Sequence, residues 1–261
     1  MQRQQFKLIT LNVGRGLSGI DRIITFLREQ QADVLCLQDI SADHIASFPG
    51  VFGPSMHFVP MCRHHFRGLG HVPVGVGIFS RFPLASTSAH AYVGNIQPVL
   101  DIDGVTYGEN GAAAPTDLDL VRKTESRVAV FANVQLPDNV QVRVGTTHGV
   151  WTPGGKADEH QRKATRLLRN CMNEQLIDGG LIAGDFNAAT GGEIYGIIAG
   201  SEHYQSVMPG SITNTVDWEV RGKKGPELVV DHVFAAHVAV PEVAAHFGVS
   251  DHAALSAIVR V

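Results

Sequence analysis

Val34-Leu35-Cys36-Leu37-Gln38-Asp39 is an unbroken apolar run that stops abruptly at two polar residues. Such a run is typical of a strand that is buried on both faces. Before it, the apolar residues of 18–31 follow helical spacing, and Ser18 with Asp21 predicts a capping box at the start of this helix. Earlier still, Phe6–Val13 is a short apolar run that ends in glycines, so the chain is predicted to open strand–helix–strand.

The rest of the chain carries similar patterns. A loop is predicted over 49–74 and a mobile surface insertion over 104–119, where glycine, alanine and acidic residues dominate. The remaining predicted elements are strands at Val74–Phe79, Leu181–Ala183, Val229–Phe234 and Leu255–Val261, a hairpin of 127–136 with 140–147, and a helix at 156–174.

The composition is that of a folded protein. The 261 residues are 44% hydrophobic and 18% charged, which excludes a disordered, fibrous or coiled-coil chain. The formal net charge of −4 gives no general attraction to nucleic acid or anionic lipid. Three cysteines cannot all pair within one chain, the N-terminal residues are too polar for a secretory signal, and no apolar stretch is long enough to span a membrane. We therefore expect a cytoplasmic protein without stable membrane association.

Polar side chains with catalytic chemistry recur where the predicted strands end. Because strand ends converge at one edge of an α/β sheet, such side chains can meet at a single site. Carboxylates suit a hard divalent cation such as Mg²⁺, a histidine beside a carboxylate suits proton transfer, and amides donate to a phosphoryl oxygen. The pattern predicts phosphoester hydrolysis. The residues concerned are Asn12, Asp39, His148, Asp185, Asn187, Asp231, Asp251 and His252.

Each of these residues alone also has an ordinary structural explanation. An aspartate after a strand is commonly a turn or cap residue, and Asn12 before Gly14 is open to the same explanation. Arg127 opens a predicted strand, where binding of phosphate and a surface ion pair are about equally favoured. Arg63-His64-His65 with His71 matches no closed zinc pattern, so a solvated loop is favoured there.

Two motifs are the most specific, Gly184-Asp185-Phe186-Asn187 and the terminal Ser250-Asp251-His252. The motifs that precede or separate them are Leu11-Asn12-Val13, Leu37-Gln38-Asp39-Ile40, Gly75–Leu84, Thr147-His148 and Val230-Asp231-His232. In this order they resemble the endonuclease/exonuclease/phosphatase (DNase I-like) superfamily. The resemblance runs from about residue 6 to residue 261.

The resemblance implies a fold of the α/β class. Two mostly antiparallel sheets would pack face to face between helices, as a four-layer α-β-β-α sandwich and as a single domain over 1–261. The strand patterns alone do not separate this fold from a parallel doubly wound sheet. The resemblance also implies attack of water on a phosphoester, with Mg²⁺ or Mn²⁺ as the cofactor.

The resemblance further implies a role for each motif residue. Asp39 would hold the metal with help from Asn12 and Asp251. The family usually has glutamate where this chain has Asp39, which is one methylene shorter, so the metal must shift or an extra water must bridge. The catalytic residues implied are His148, Asp185, Asn187, Asp231 and His252, with His252 oriented by Asp231 as the acid, base or charge-stabilising group. The phosphate contacts implied are His148, Arg127, Asn12 and Asn187.

We therefore predict a metal-dependent phosphodiesterase that acts on a nucleic acid or nucleotide phosphodiester. The alternative is a hydrolase of a small phosphorylated metabolite or lipid head group, which the absence of net positive charge favours. A third interpretation is a catalytically silent binding module with the same fold, which is supported only by the presence of aspartate instead of glutamate at position 39. The sequence fixes neither the oligomeric state nor the role of 104–119.

Overall fold

The computed structural model describes residues 4–48, 50–66, 68–109 and 111–261. Its strands are β1 Gln5–Asn12, β2 Val34–Ser41, β3 Ser55–Phe66, β4 Gly70–Ser80, β5 Leu84–Val93, β6 Val105–Tyr107, β7 Ala113–Pro115, β8 Arg127–Gln135, β9 Gln141–His148, β10 Gly180–Asp185, β11 Gln205–Ser206, β12 Asp231–Ala236, β13 Ala239–His246 and β14 Ala254–Arg260. Its α-helices are α1 Ile20–Gln30, α2 Ala42–Ser47, α3 Leu118–Thr124, α4 Glu159–Gln175 and α5 Glu193–Ala199, and short 3-10 turns lie at Gly14–Gly16, Pro137–Asn139 and Pro153–Gly155.

Two mixed sheets form the body of the molecule, each with six strands in the described part of the chain. One sheet has the order β13-β14-β1-β2-β4-β3, and the other has the order β11-β12-β10-β9-β8-β5. Each contains a single parallel pair, β1 with β2 and β9 with β10, among these strands. The prediction of two mostly antiparallel sheets is therefore confirmed, as is the predicted hairpin of β8 and β9.

Three layers of buried apolar side chains hold the sheets and helices together. The central layer lies between the sheets and includes Phe6 from one and Val130 from the other. One outer layer packs Ile24 of α1 against the first sheet. The other packs Leu168 of α4 against the second sheet. The helices thus cover the outer faces, and the predicted four-layer α-β-β-α sandwich is confirmed.

The two long helices begin differently. The α4 helix is capped by Asp158, whose side chain accepts a hydrogen bond from a backbone N–H of the first turn. The α1 helix begins at Ile20 rather than at residue 18, and the residue before it, Gly19, offers no side-chain cap. Gly19 has φ +103°, so Ser18 is not at the capping position and the predicted capping box with Asp21 is wrong. None of the described helices is both long and apolar enough to cross a membrane.

Within the loop predicted over 49–74, residues 50–54 are irregular as predicted, whereas 55–74 instead belongs to the β3–β4 hairpin; Pro49 and Arg67 lie outside the described residues. β3 is an outermost strand of its sheet, and it tolerates Pro60 at a register shift. β5 and β13, which were also not predicted, are outermost strands too. Edge strands keep many side chains exposed, so they lack the apolar pattern of a buried strand. The predicted strand Val229–Phe234 begins two residues later, at Asp231.

The predicted insertion over 104–119 folds as the β6–β7 hairpin followed by the start of α3, with Asn110 outside the described residues. It packs against the β1–α1 turn, where Arg15 donates to the Gly111 carbonyl at 3.4 Å. The Tyr107 hydroxyl lies 3.3 Å from Nδ1 of His64 on β3. The insertion therefore packs against the β1–α1 turn and against β3.

Candidate active site

Strand pairing brings the predicted site residues to one edge of the two sheets. Asn12 ends β1, and Asp39 lies near the same end of the parallel strand β2. In the other sheet, His148 ends β9 directly opposite Asp185 at the end of β10. Asp231 begins the antiparallel strand β12, also opposite Asp185. The predicted convergence of strand ends is thus present.

Asp185 lies at the centre of a buried polar network, with its side chain 2% exposed. Its Oδ2 accepts a hydrogen bond from Asn12 Nδ2 at 2.9 Å. The same oxygen lies 3.5 Å from Nε2 of His148 and 3.7 Å from Nε2 of His252. Its Oδ1 accepts the backbone N–H of Asn187 at 2.8 Å. Burial opposes ionisation, but the two histidines and these hydrogen bonds outweigh it, and the pKa of Asp185 lies below its usual value.

His252 and Asp231 form a second buried pair. Nδ1 of His252 lies 2.9 Å from Oδ2 of Asp231, and the Asp231 backbone N–H donates to the Thr215 hydroxyl at 3.1 Å. Burial disfavours the charged imidazole, but the carboxylates of Asp231 and Asp185 outweigh it and raise the pKa of His252 to about 10. Burial, with the nearby charge of Asp185, raises the pKa of Asp231. The pKa values of the two carboxylates that flank His252 are therefore shifted in opposite directions, as expected where acid and base roles are divided.

Asp39 and His148 form a third pair, with Oδ1 of Asp39 3.0 Å from Nδ1 of His148. Burial opposes ionisation of Asp39, but His148 and two nearby arginines hold its pKa below the usual range. Burial likewise opposes protonation of His148, and Asp39 outweighs it to raise the histidine's pKa. Arg127 is buried, with an ion pair of 2.7 Å to Glu125 and a 3.5 Å contact to the His148 carbonyl. The ion pair considered for Arg127 is therefore present, but it is buried rather than at the surface.

Sequence reasoning missed Arg221, which joins this network from the loop before β12. Its Nη2 lies 3.2 Å from Oδ2 of Asp251 and 2.9 Å from Nε2 of His252. Its Nε donates to the Asp251 carbonyl at 3.2 Å, and its guanidinium stacks 5.3 Å from the ring centre of Trp218. Because guanidinium only donates, this contact is a hydrogen bond only while Nε2 of His252 carries no proton; in the imidazolium form that the pKa of about 10 favours, Arg221 keeps the Asp251 carboxylate as its partner. The sequence around Arg221 has no strand or helix pattern that would place it near the site. The one feature that could have drawn attention to it is the nearby Trp218.

A family model described as the Endonuclease/Exonuclease/phosphatase family matches residues 9–252. The chain belongs to this family. Endonucleases, exonucleases and phosphatases all hydrolyse phosphoester bonds, so membership supports phosphoester hydrolysis. No curated protein matches the sequence significantly.

Solved structures of the endonuclease/exonuclease/phosphatase fold resemble the chain over nearly its full length. One such protein from Beutenbergia cavernae has a TM-score of 0.69 at 15% identity, covering 99% of this chain and 72% of that one. D. rerio TDP2 complexed with a single-strand DNA product has a TM-score of 0.65 at 13% identity, covering 99% and 100%. A mannosyl-6-phosphatase from Bacteroides thetaiotaomicron has a TM-score of 0.63 at 10% identity, covering 97% and 99%. At these identities the likeness shows the shared fold.

Three side chains near this network, Asn12, Asp39 and Asp251, carry oxygen atoms of the type that bind a hard divalent cation, and Asp251 is also paired with Arg221 at 3.2 Å. Asp39 is 22% exposed and pairs with His148 through Oδ1, while its Oδ2 has no hydrogen-bond partner among the described residues. Oδ1 of Asn12 accepts the Gly14 backbone N–H at 2.9 Å. A Cβ on Gly14 would lie 2.7 Å from Oδ1 of Asp251, so the glycine allows Asp251 to approach this turn. Carboxylate and amide oxygens are the ligands that Mg²⁺ and Mn²⁺ prefer.

Among the described residues, two groups of acidic, histidine or cysteine side chains have potential metal-ligand atoms within 4.8 Å of one another, namely Asp185, Asp231 and His252, and Cys62, His64 and Glu125. In the second group, Arg15 lies 3.2 Å from Nδ1 of His64, and Arg127 pairs with Glu125. Two guanidinium charges therefore occupy the positions beside the ligand atoms, and they disfavour a cation there. His64 is buried on β3, so the solvated loop predicted for it is wrong.

Proposed function

We propose that the protein is a divalent-metal-dependent phosphodiester hydrolase that acts on a nucleic acid or nucleotide phosphodiester. The observation that carries this proposal is the buried carboxylate of Asp185, which lies within 3.7 Å of Asn12, His148 and His252 at the edge of the sheets. Such a cluster of one ionised carboxylate and several donors suits in-line attack of water on a phosphoryl group. Family membership supports the same bond type.

We propose that Asn12, Asp39 and Asp251 hold Mg²⁺ or Mn²⁺. When bound, the cation polarises a phosphoryl oxygen and offsets negative charge on the phosphate. Asp39 offers an unpaired and partly exposed carboxylate oxygen for this role, which is what the cation needs. The shorter side chain in place of glutamate is expected to weaken the site rather than remove it.

The protein's own residues then divide the proton chemistry. Asp185 has a lowered pKa and stays ionised, so it can accept a proton or a hydrogen bond from the attacking water, which Asn187 helps to orient. His252 has a pKa of about 10, so its imidazolium can donate from Nε2 to the phosphoryl oxygen or leaving group. Asp231 holds His252 in orientation through Nδ1. His148, Arg127, Asn12 and Asn187 are the donors proposed to contact the phosphate.

A small phosphorylated metabolite or lipid head group is the second candidate substrate. The net charge of −4 provides no general attraction to a polynucleotide, which favours this candidate. The chain is similar in fold both to TDP2 bound to a DNA product and to a mannosyl-6-phosphatase, so fold does not separate the two substrate classes. A silent binding module is disfavoured because Asp185, Asn187, Asp231 and His252 are all present in one network.

We also infer that the chain works as one domain in the cytoplasm. The central apolar layer includes residues from Phe6 to Val259, so both sheets share a core that spans almost the whole chain. All three cysteines are free, which suits a reducing compartment.

Hydrolysis by the purified protein tests the proposal. A labelled single-stranded oligonucleotide, a generic phosphodiester, a generic phosphomonoester and a sugar phosphate are each incubated with Mg²⁺, with Mn²⁺ and with chelator. We expect metal-dependent cleavage of the oligonucleotide or the diester, with a rate for the oligonucleotide that falls steeply between about 50 and 200 mM salt. Cleavage of the monoester or sugar phosphate alone, with little salt dependence, supports the second candidate. Turnover that survives chelation contradicts the metal dependence.

A further inference from the structure

Arg221 is positioned as a ligand-binding side chain rather than as a simple surface ion pair. Its loop is fixed by the pairing of Val216 with His252, and by the side chain of Asp217, which accepts two backbone N–H groups. The Trp218 indole donates to the Pro226 carbonyl at 2.8 Å. The described contacts therefore hold the segment that carries Arg221 against the strand end of the catalytic site.

The Trp218 ring gives the guanidinium a rigid platform. A Cβ on Gly225 would lie 2.3 Å from the indole, so only glycine lets the chain close over this ring. Arg221 stacks on the ring and is tied to the Asp251 carbonyl through Nε. Its guanidinium is thus aimed by two contacts that do not involve the Asp251 carboxylate.

The same guanidinium keeps donors available. The side chain is 31% exposed, and Nη1 makes no hydrogen bond within the described residues. Nη2 lies between Oδ2 of Asp251, at 3.2 Å, and Nε2 of His252, at 2.9 Å. Arginine binds phosphate through two parallel donors, a geometry that a planar fork with one free nitrogen can adopt.

The negative charges near His252 also mean that a phosphate needs a positively charged side chain in order to bind there. The carboxylates of Asp231 and Asp185 lie 2.9 and 3.7 Å from the His252 ring. The carboxylate of Asp251 lies 3.2 Å from Arg221, which contacts the same ring. An incoming phosphoryl group meets these negative charges, and the side chains there that can carry positive charge are His148, His252 and Arg221, of which His252 and Arg221 contact each other. The position beside both is where an anionic oxygen can accept from two donors at once.

We propose that Arg221 binds the phosphoryl group of the substrate, exchanging its contact with the Asp251 carboxylate for contacts with phosphoryl oxygens. This inference rests on the proposed function and names a further binding residue of that site. In the ligand-free enzyme Arg221 balances the charge of Asp251, and on binding it moves toward the phosphate while Nε remains near the Asp251 carbonyl.

Binding of inorganic phosphate tests this movement without any turnover. The Trp151→Phe variant leaves Trp218 as the single tryptophan, since the chain has two. We expect phosphate to change the Trp218 fluorescence because the guanidinium shifts on the ring. Adding Arg221→Ala should abolish the change and weaken phosphate binding, measured by calorimetry, at least tenfold. Arg221→Lys should bind with intermediate affinity.

Kinetics provide the second arm. For whichever phosphoester the wild type cleaves, we expect Arg221→Ala to raise KM at least tenfold, with partial recovery in added guanidinium. Arg162→Ala is the matched control, since Arg162 pairs with Glu193 on the surface of α4 and should change neither quantity. Circular dichroism melting identifies unfolded variants, and Arg221→Met then replaces Arg221→Ala because it keeps an apolar stem over Trp218.

The outcomes separate this inference from the proposed function. Phosphate that binds Arg221→Ala and wild type equally overturns the inference, and so does a wild type that shows no phosphate binding. A wild type that binds phosphate through Arg221 but cleaves none of the substrates supports the inference and contradicts the proposed function. Turnover that is equal in wild type and Arg221→Ala supports the proposed function and overturns the inference.

Discussion

The Asp231→Asn substitution gives the sharpest test of the electrostatics at the site. It keeps the size of the side chain and an oxygen that can accept from Nδ1 of His252, but it removes one negative charge. The pKa of His252 is raised to about 10 from a usual value of 6.5, which corresponds to about 5 kcal/mol in favour of the imidazolium. This is the net of an opposing effect of burial and a larger attraction, which comes mainly from Asp231, at 2.9 Å, and Asp185, at 3.7 Å, with the nearer carboxylate supplying the larger part by Coulomb's law.

Because the burial penalty remains after the substitution, we expect Asp231→Asn to lower the pKa of His252 by at least about two. The ring titration is followed by NMR, with the His252 resonance assigned from its loss in His252→Gln. If His252 donates a proton during turnover, the alkaline limb of kcat/KM moves to lower pH by the same amount. The matched control is Asp101→Asn, since Asp101 lies 3.5 Å from His71 in a surface pair that is 44% exposed. A His252 titration that is unchanged by Asp231→Asn refutes this reasoning.

Three further predictions concern metal, acid stability and packing. Asp39→Asn should raise the Mg²⁺ concentration for half-maximal rate about tenfold, and an unchanged requirement counts against Asp39 as a ligand. Burial lowers the pKa of His232 to about 4, so its neutral form stabilises the fold above pH 6.5 and about 3 kcal/mol is lost as the pH falls toward 4. Urea unfolding at pH 7 and pH 4 should show a smaller difference in His232→Gln, and an equal difference contradicts the assignment. A Cβ on Gly149 would lie 2.0 Å from the Phe186 carbonyl oxygen, so Gly149→Ala should cost about 3 kcal/mol of unfolding free energy, whereas Gly196→Ala, which meets open space, should not. Equal thermal midpoints for both glycine variants contradict the packing argument.

The parts of the fold that were predictable from sequence are the buried ones. β2 and β10 are unbroken apolar runs because both of their faces are covered, and each run ends at the polar residue that enters the site, Asp39 or Asp185. β3, β5 and β13 lie at sheet edges with many exposed side chains, so their sequences carry no such pattern. A strand that is buried on both faces has a continuous apolar sequence that can be recognised, whereas an edge strand with exposed side chains has no such sequence.

The residues of the candidate site also fall into those that the sequence could predict and those that it could not. Asn12, Asp39, His148 and Asp185 could be found because each terminates or closely follows a buried strand. Arg221 could not be found, because its place is set by long-range contacts of an irregular loop with Asp251–His252 rather than by any local periodicity. The hydrogen bond of Asn12 with Asp185 joins residues from the two separate sheets, and no pattern along the chain predicts that distance.

Turnover in ¹⁸O-labelled water tests the central claim most directly. The wild type and Asp185→Asn are incubated with a generic phosphodiester and with an oligonucleotide, in Mg²⁺, in Mn²⁺ and in chelator, and the phosphorus-containing product is analysed by mass spectrometry. We expect the wild type with metal to place one labelled oxygen on the product phosphate. Asp185→Asn should lose at least about a thousandfold in kcat while it unfolds near the wild-type temperature. Equal rates in the two proteins, or no labelled product from the wild type with either metal, would contradict a metal-dependent hydrolase centred on Asp185.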